Sequence, residues 1–332
     1  MSVAIWIAVA AVAGFVGWYL YEKSQRRSYP VEPGFRAEIT LPHTEEWELY
    51  QNSLSLCAKK LRVCLAELEL PHKSHHVHLI ETGHYGTLSR EYLKVNPGFT
   101  VPVLLHNGHP IYESHEQIFY AAKNAGAKGA ELLGRDPETR AEVERWVDLS
   151  SLKSVFQPEE RAGEAVPGLT VPLFSAMMKY IPYRRLVVGL LFHPDRKRPV
   201  LFALLKLRGL KRLPTFVVPL MQSARKYMHI HLDELEEHLG HGQPWICGED
   251  FTLADISWVV VLERLNEADW ADVFWARGQR PRIAAYWERL TKRPSYEAAL
   301  ASQRGEIQIA ALEDIRAAKR DSPEFRALLE TS

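Results

Sequence analysis

Two kinds of hydrophobic periodicity divide this chain, and the point where one replaces the other restricts the fold more than any other feature. Between residues 45 and 126, short strand-like segments interleave with short helical stripes. After Gly134 the apolar patterns are all helical in period. Residues 47–51 read as a strand, and a helix follows that starts at or near Cys57 and carries Leu61, Cys64, Leu65 and Leu68 as its apolar stripe. Residues 74–79 alternate, with Val77 and Leu79 on one face. Residues 89–93 form a short helix ended by Asn96-Pro97-Gly98. Residues 103–105 and 110–112 flank Asn107-Gly108, a two-residue hairpin signal. Residues 114–124 close the unit as a helix, with Ser114 and Gln117 in capping-box positions. The order β-α-β-α-β-β-α is that of a mixed α/β domain over residues 45–126.

An all-α domain is expected over residues 135–332. Residues 136–155 are amphipathic, with Pro137 at a first helical position that tolerates proline. Residues 221–239 form another helix, ended by Gly240. Thr252 and Asp255 make a capping box ahead of the apolar run 256–262. Helices over 282–292, 296–300 and 306–320 follow, and Pro323 is placed to end or kink the last. Between the first two lies a proline-rich insert, about residues 157–219. From residue 184 to 212 it carries nine Lys/Arg and one Asp. No apolar run in it reaches membrane-spanning length. Two readings stay open: a helical hairpin packed on the body, or a basic amphipathic segment lying on an anionic membrane surface.

Residues 3–21 contain no charge, and at helical rise they span about 28 Å, close to the hydrocarbon core of a bilayer. Trp18, Tyr19 and Tyr21 gather at one end, followed by Lys23, Arg26 and Arg27. A cleaved signal peptide places its positive charge before the apolar run, whereas here it comes after; the small residues at 8–14 keep cleavage as the competing reading. The expectation is a single-pass transmembrane anchor over residues 3–21, with the body on the cytoplasmic side. Residues 22–44 are then a linker, and 28–43, with Pro30, Pro33 and Pro42, an extended spacer.

Composition removes several function classes. Lys+Arg and Asp+Glu are both 41, so no global field favours nucleic acid. Cys57, Cys64 and Cys247 make neither a disulfide framework nor a CxxC pair, and they fit a reducing compartment. His75, His76 and His78 lack a nearby carboxylate or cysteine to complete a site, so no metal is expected. No phosphate-binding glycine loop or nucleophile elbow is present in the sequence.

The stretch LYQNSLSLCAKKLR, residues 49–62, carries the chemistry. Ser53, Ser55 and Cys57 fall where strand hands over to helix. Free backbone N–H groups and the positive end of the helix dipole favour an anion or a thiolate at that point. The competing reading is a polar turn with an N-cap and a small packed cysteine.

Three segments of the first domain together resemble the glutathione S-transferase superfamily. SLCAKKLR (55–62) is similar to the active-site turn of zeta-class transferases and of tetrachlorohydroquinone reductive dehalogenase. NPGFTVPVL (96–104) resembles the segment whose second proline is cis. Glu113-Ser114, followed by Ile118, resembles the glutathione-anchoring pair. In the second domain PWICGEDFTLAD (244–255) is similar to the family's folding motif. The anchor, the insert and the Gln279-Arg280-Pro281 and Lys292-Arg293 segments are similar to ganglioside-induced differentiation-associated protein.

The resemblance implies a thioredoxin-like first domain, an all-helical second domain, glutathione as cosubstrate without a metal, a hydrophobic small-molecule electrophile as partner, and a homodimer. It implies catalytic roles for Ser55 and Cys57, the first as a hydrogen-bond donor to the glutathione sulfur, the second as a thiol of lowered pKa that forms a mixed disulfide. Val101, beside a cis Pro102, would pair with the glutathione backbone, and Glu113 and Ser114 would hold its γ-glutamyl end. Ser53 drops out, because the pattern aligns through Ser55. Lys60 and Arg62 are expected to be structural ion-pair residues. Leu56 stands where zeta transferases have a second serine, which weakens an isomerase assignment. The reaction is either thiol transfer to an electrophile or a reductive, dehalogenase-like step. The alternative is a transferase-fold membrane protein with little catalysis that binds lipid or a partner through its basic insert.

Overall fold

A computed structural model of the chain describes residues 3–153 and 156–330. Helix α1 (Val3–Gln25) stands at the N-terminal end with none of its residues buried. There follow β1 (Gly34–Phe35), β2 (Trp47–Gln51), α2 (Leu56–Glu67), β3 (Lys73–His76), α3 (Arg90–Val95), β4 (Val103–His106), β5 (His109–Tyr112), α4 (Ser114–Lys123) and α5 (Gly126–Leu133). The sheet order is β1-β5-β4-β2-β3. β2 and β3 run parallel, joined through α2, and β4 and β5 are antiparallel to their neighbours. This is a thioredoxin-like sheet. Asn107 and Gly108 have φ of 51° and 80°, as a two-residue hairpin turn requires. A Cβ on Gly108 would meet the Leu41 carbonyl oxygen at 2.8 Å, so glycine is needed there on two counts.

The expected spacer is extended but not free. Phe35 pairs with Ile111, Arg36 N–H donates to the Pro110 carbonyl at 2.9 Å, and Leu41 N–H to the Gly108 carbonyl at 2.8 Å. Val31, Ile39 and Leu41 pack on a small apolar cluster that includes Val77, Tyr92 and Val103. An open β5 edge would leave a row of unpaired backbone groups; residues 28–43 cover it.

The helical domain comprises α6 (Pro137–Leu149), α7 (Ala162–Met178), α8 (Tyr183–Phe192), α9 (Lys197–Arg208), α10 (Val217–His238), α11 (Leu253–Glu267), α12 (Ala271–Phe274), α13 (Pro281–Thr291), α14 (Pro294–Ala299), α15 (Glu306–Asp321) and α16 (Pro323–Glu330). α6 ends six residues before the expected 155. The Ser150 and Ser151 hydroxyls turn back onto the carbonyls of Trp146 (2.9 Å) and Val147 (2.6 Å), a pattern that competes with helix continuation. Ser154 and Val155 lie outside the described residues.

The insert also differs from expectation. α7, inside it, is a central helix packed against α10, α11 and α15, with almost every residue buried despite Pro167 and Pro172 in its interior. A helix apolar on all sides must be surrounded. Only α8 and α9 form an outer hairpin.

The two domains share one large core, and a buried ionic cluster crosses their boundary. Lys59 of α2 is ion-paired with Glu267 of α11, both about 1% exposed. Arg264 contacts Glu267 at 2.9 Å and donates to the Leu54 carbonyl. Burial pulls Lys59 down and opposes ionisation of Glu267, but the Lys59 and Arg264 charges keep that carboxylate well below its usual range. Removing one partner of a buried pair strands the other. Lys59→Ala is therefore expected to destabilise the protein by about 3–5 kcal/mol. Urea denaturation followed by far-UV and tryptophan signals checks this, and a loss under about 1 kcal/mol would contradict it.

Candidate active site

Beyond β2, Asn52 holds the turn. Its amide donates to the Val77 carbonyl and to Thr82 Oγ1, each at 2.9 Å, and its Oδ1 accepts the Leu54 N–H at 3.0 Å. Ser55 is then the N-cap of α2, its Oγ accepting the Ala58 N–H at 3.3 Å. The same hydroxyl donates to the Val101 carbonyl at 3.3 Å. The Val101–Pro102 peptide is cis. Cys57 lies in the first turn of α2, half-buried, and Ser114 stands beside its sulfur. The residues singled out from the sequence thus meet at one end of the sheet: Ser55 and Cys57 from α2, Val101 and Pro102 ahead of β4, Glu113 and Ser114 where β5 enters α4. Ser53 makes no side-chain hydrogen bond among the described residues.

Four expectations are corrected. The Ser114–Gln117 capping box does not form. Glu113 is the N-cap of α4, at φ 67° and without a side-chain cap bond, and Ser114 is the first helical residue. Gln117 turns inward instead and donates to the carbonyls of Pro102 (3.0 Å) and Ile111 (2.7 Å), buried acceptors that need a donor. The Cys57 thiol, expected to be depressed by the helix end, is raised. Burial pushes it up, against the opposing influence of the Lys60 charge and the Ser114 hydroxyl. Lys60 makes no ion pair among the described residues. It is 2% exposed, and its ammonium donates to Ser151 Oγ at 3.0 Å. Burial pulls its pKa down to about 8. Arg62 is structural, as expected, but through oxygens other than carboxylates: the Ala299 carbonyl (2.9 Å), Gln51 Oε1 (2.8 Å) and the Asn52 carbonyl (3.1 Å).

Burial also raises Glu113 and pushes Cys247 up to about 12. His115, next to Ser114, has a buried Nδ1 without a hydrogen-bond partner among the described residues. Sequence reasoning passed over His115 and Ser151; the three-residue spacing of Lys60 from Cys57 was the one local signal for a cation near the sulfur. Among the described residues no group of His, Cys, Asp and Glu side chains is arranged to hold a metal. A charged cavity of about 190 Å³, lined by Glu67, Asp250 and Arg293 among others, lies at the opposite end of α2.

The family model described as glutathione S-transferase, N-terminal domain, matches residues 54–124, and the one described as glutathione S-transferase, C-terminal domain, matches residues 218–289. The chain belongs to the glutathione S-transferase superfamily. Within that superfamily it is similar to tetrachloro-p-hydroquinone reductive dehalogenase of Sphingobium chlorophenolicum: 24% identity, over 76% of this chain and 95% of the relative. It is also similar to human (Homo sapiens) ganglioside-induced differentiation-associated protein 1-like 1, with 24% identity over 85% of this chain and 81% of the relative. Among solved structures, the beta-etherase LigF from Sphingobium sp. strain SYK-6 superposes with a TM-score of 0.63. The match has 18% identity and covers 77% of this chain and 98% of that one, which establishes the transferase fold. The glutathione S-transferase matches span both domains and flank the insert.

In this transferase-fold chain Ser55 has a measurable structural task. Ser55→Ala removes the N-cap of α2 and is expected to cost about 1 kcal/mol. Ser53→Ala is expected to stay within about 0.5 kcal/mol of the parent. Thermal and urea denaturation of the two variants side by side checks the contrast.

Proposed function

We propose that this chain is a glutathione-dependent enzyme acting on a hydrophobic electrophile, with Cys57 as the reacting thiol and Ser55 as the residue that orders the site around it. The observation that carries the reading is the meeting of Cys57, Val101 and Ser114 at one end of the sheet, with Ser55 hydrogen-bonded between the helix and Val101. Ser55 already spends its hydroxyl on Ala58 and Val101, which favours Cys57 as the sulfur-handling group. Glutathione would lie along Val101 with its γ-glutamyl end at Glu113 and Ser114, where the α4 N-terminus offers free N–H groups to a carboxylate. The electrophile would lie against the helices that follow Asp136.

In the reductive form of the reaction, the Cys57 thiolate attacks the sulfur of a glutathionyl conjugate. The carbon–sulfur bond breaks, its electron pair leaves with the carbon, which takes a proton, and Cys57 is left in a mixed disulfide with glutathione. A second glutathione thiolate attacks that disulfide, forms glutathione disulfide and returns Cys57 as thiolate. The similarity to a reductive dehalogenase supports this form. Glutathione titration of the parent, Ser55→Ala and Cys57→Ala proteins tests binding, and incubation with glutathione disulfide, from which the Cys57 thiolate displaces one glutathione as thiolate, followed by mass spectrometry, tests for the glutathione adduct. The expected result is binding in the parent, with the adduct confined to Cys57 and absent from Cys57→Ala. Absence of binding in the parent would remove the enzyme reading; binding unchanged in both variants would remove the residue assignment.

We further propose that α1 anchors the body to a membrane, with the body on the cytoplasmic side. α1 is long and apolar enough to cross a bilayer, and none of its residues is buried. A second reading, membrane-surface binding by the insert, is favoured by one contact. Trp18 and Tyr19, near the end of α1, pack on Phe192 at the tip of α8, with centroids 6.0 and 5.7 Å apart. The α8–α9 hairpin is thereby held next to the aromatic end of α1. It exposes Tyr183, Val187, Val200 and Leu207 beside its surplus of Lys and Arg. Deleting residues 1–27 is expected to release the body into the soluble fraction at high salt. Retention that survives a salt wash would show an apolar anchor elsewhere in the chain.

A further inference from the structure

α2 carries three cations within four residues, and the structure treats them differently. Lys59 has a carboxylate in contact, and Arg62 is surrounded by oxygens. Lys60, equally buried, has the Ser151 hydroxyl as its hydrogen-bond partner and no carboxylate among the described residues. A buried cation without a counter-ion is costly, so its retention calls for an anion that is present at some stage. Spacing i, i+3 on a helix puts Lys60 on the face of Cys57, with Cβ atoms about 5–6 Å apart.

We propose that Lys60 is a positioning residue for the sulfur chemistry: its buried ammonium, held by Ser151 one turn below Cys57, favours the thiolate form of that cysteine. The inference rests on the reading of Cys57 as the reacting thiol. Competing charges are accounted for on each side. Asp148, which faces Lys60, is held by Lys153 at 2.5 Å and by Arg161 at 3.1 Å. Arg264 of α11, which faces Cys57, is taken by Glu267. Glu113 of α4 works against the thiolate, and the Ser114 hydroxyl works for it. His115 of α4 faces Lys60 and is held toward neutrality, first by burial and then by the Lys60 charge. That leaves Lys60, among the described residues, as the cation beside Cys57 whose charge no carboxylate has taken. When glutathione resolves the mixed disulfide, Cys57 must leave as thiolate, and the same ammonium stabilises that leaving group. Because burial brings the Lys60 pKa to about 8, the support that its charge gives fades as pH rises through that value.

The test uses the full chain without glutathione. Iodoacetamide alkylation of Cys57, in which the thiolate displaces iodide, is followed by mass spectrometry of the peptide that carries it, across neutral to alkaline pH. Cys247 serves as the internal reference. Lys60→Met is expected to slow Cys57 alkylation at neutral pH by about tenfold or more, the equivalent of one pKa unit. Lys60→Arg, which keeps the charge, is expected to retain most of the rate, and Cys247 to be unaffected. If Lys60→Met does not fold by circular dichroism and thermal melting, Lys60→Gln takes its place under the same criteria. An unchanged rate in the neutral variant overturns the proposal, as does an equal loss in the Met and Arg variants, which would mark a packing effect. Failure of the parent to form a glutathione adduct while alkylation still depends on Lys60 would remove the enzyme reading and leave this coupling intact.

Discussion

The structure depends on a buried charge cluster where two differently built domains meet. Lys59 comes from the helix that carries the candidate nucleophile, and Glu267 and Arg264 come from the helix opened by the Thr252–Asp255 capping box. Arg264 also reaches the Leu54 carbonyl, in the turn that leads to Ser55. The position of the first turn of α2 is therefore set from below by α11 and from the side by Val101. Apolar contact alone permits some sliding between helix and sheet. Directional bonds to buried charges do not, because any shift leaves a charge without its partner.

The same boundary separates cations that look alike in the sequence. Lys59, Lys60 and Arg62 follow one another along α2, but their surroundings come from α11, from the segment after α6, and from α14 together with the turn after β2. Each neighbour lies roughly 90 to 240 residues away in sequence or across the preceding turn, so α2 by itself offers no hint of which cation is paired. The insert follows a similar logic. Its first helix became part of the core and its last two stayed outside, because only α7 finds partners on every side.

Much of the architecture was legible from local rules. The Asn107-Gly108 hairpin, the Pro137 helix start, the Thr252 cap, the Ser55 turn and the helix end near Gly240 depend on residues within a few positions of one another. Misreadings arose where a side chain had both a local and a distant option. Gln117 has the spacing of a capping box, yet two buried carbonyls across the sheet compete for its amide. Ser150 and Ser151 sit within an amphipathic pattern, yet their hydroxyls end the helix. Residues 28–43 have the composition of a linker, yet the open edge of β5 takes them.

By itself, then, the sequence determined the alternation of strands and helices in the first domain, the helical character of the second and the strand-to-helix turn at Ser55, since these follow from hydrophobic period, proline and glycine placement and short motifs. Tertiary structure decided the electrostatics of the site. Cys57 at a helix N-terminus was expected to be acidic, and burial among α2, α4 and α11 reversed that sign. Lys60 was expected to be paired, and the fold left it buried with a hydroxyl. A pKa reflects desolvation and nearby charge; both are set by residues brought from elsewhere in the chain, so neither can be read from the fourteen residues around Cys57.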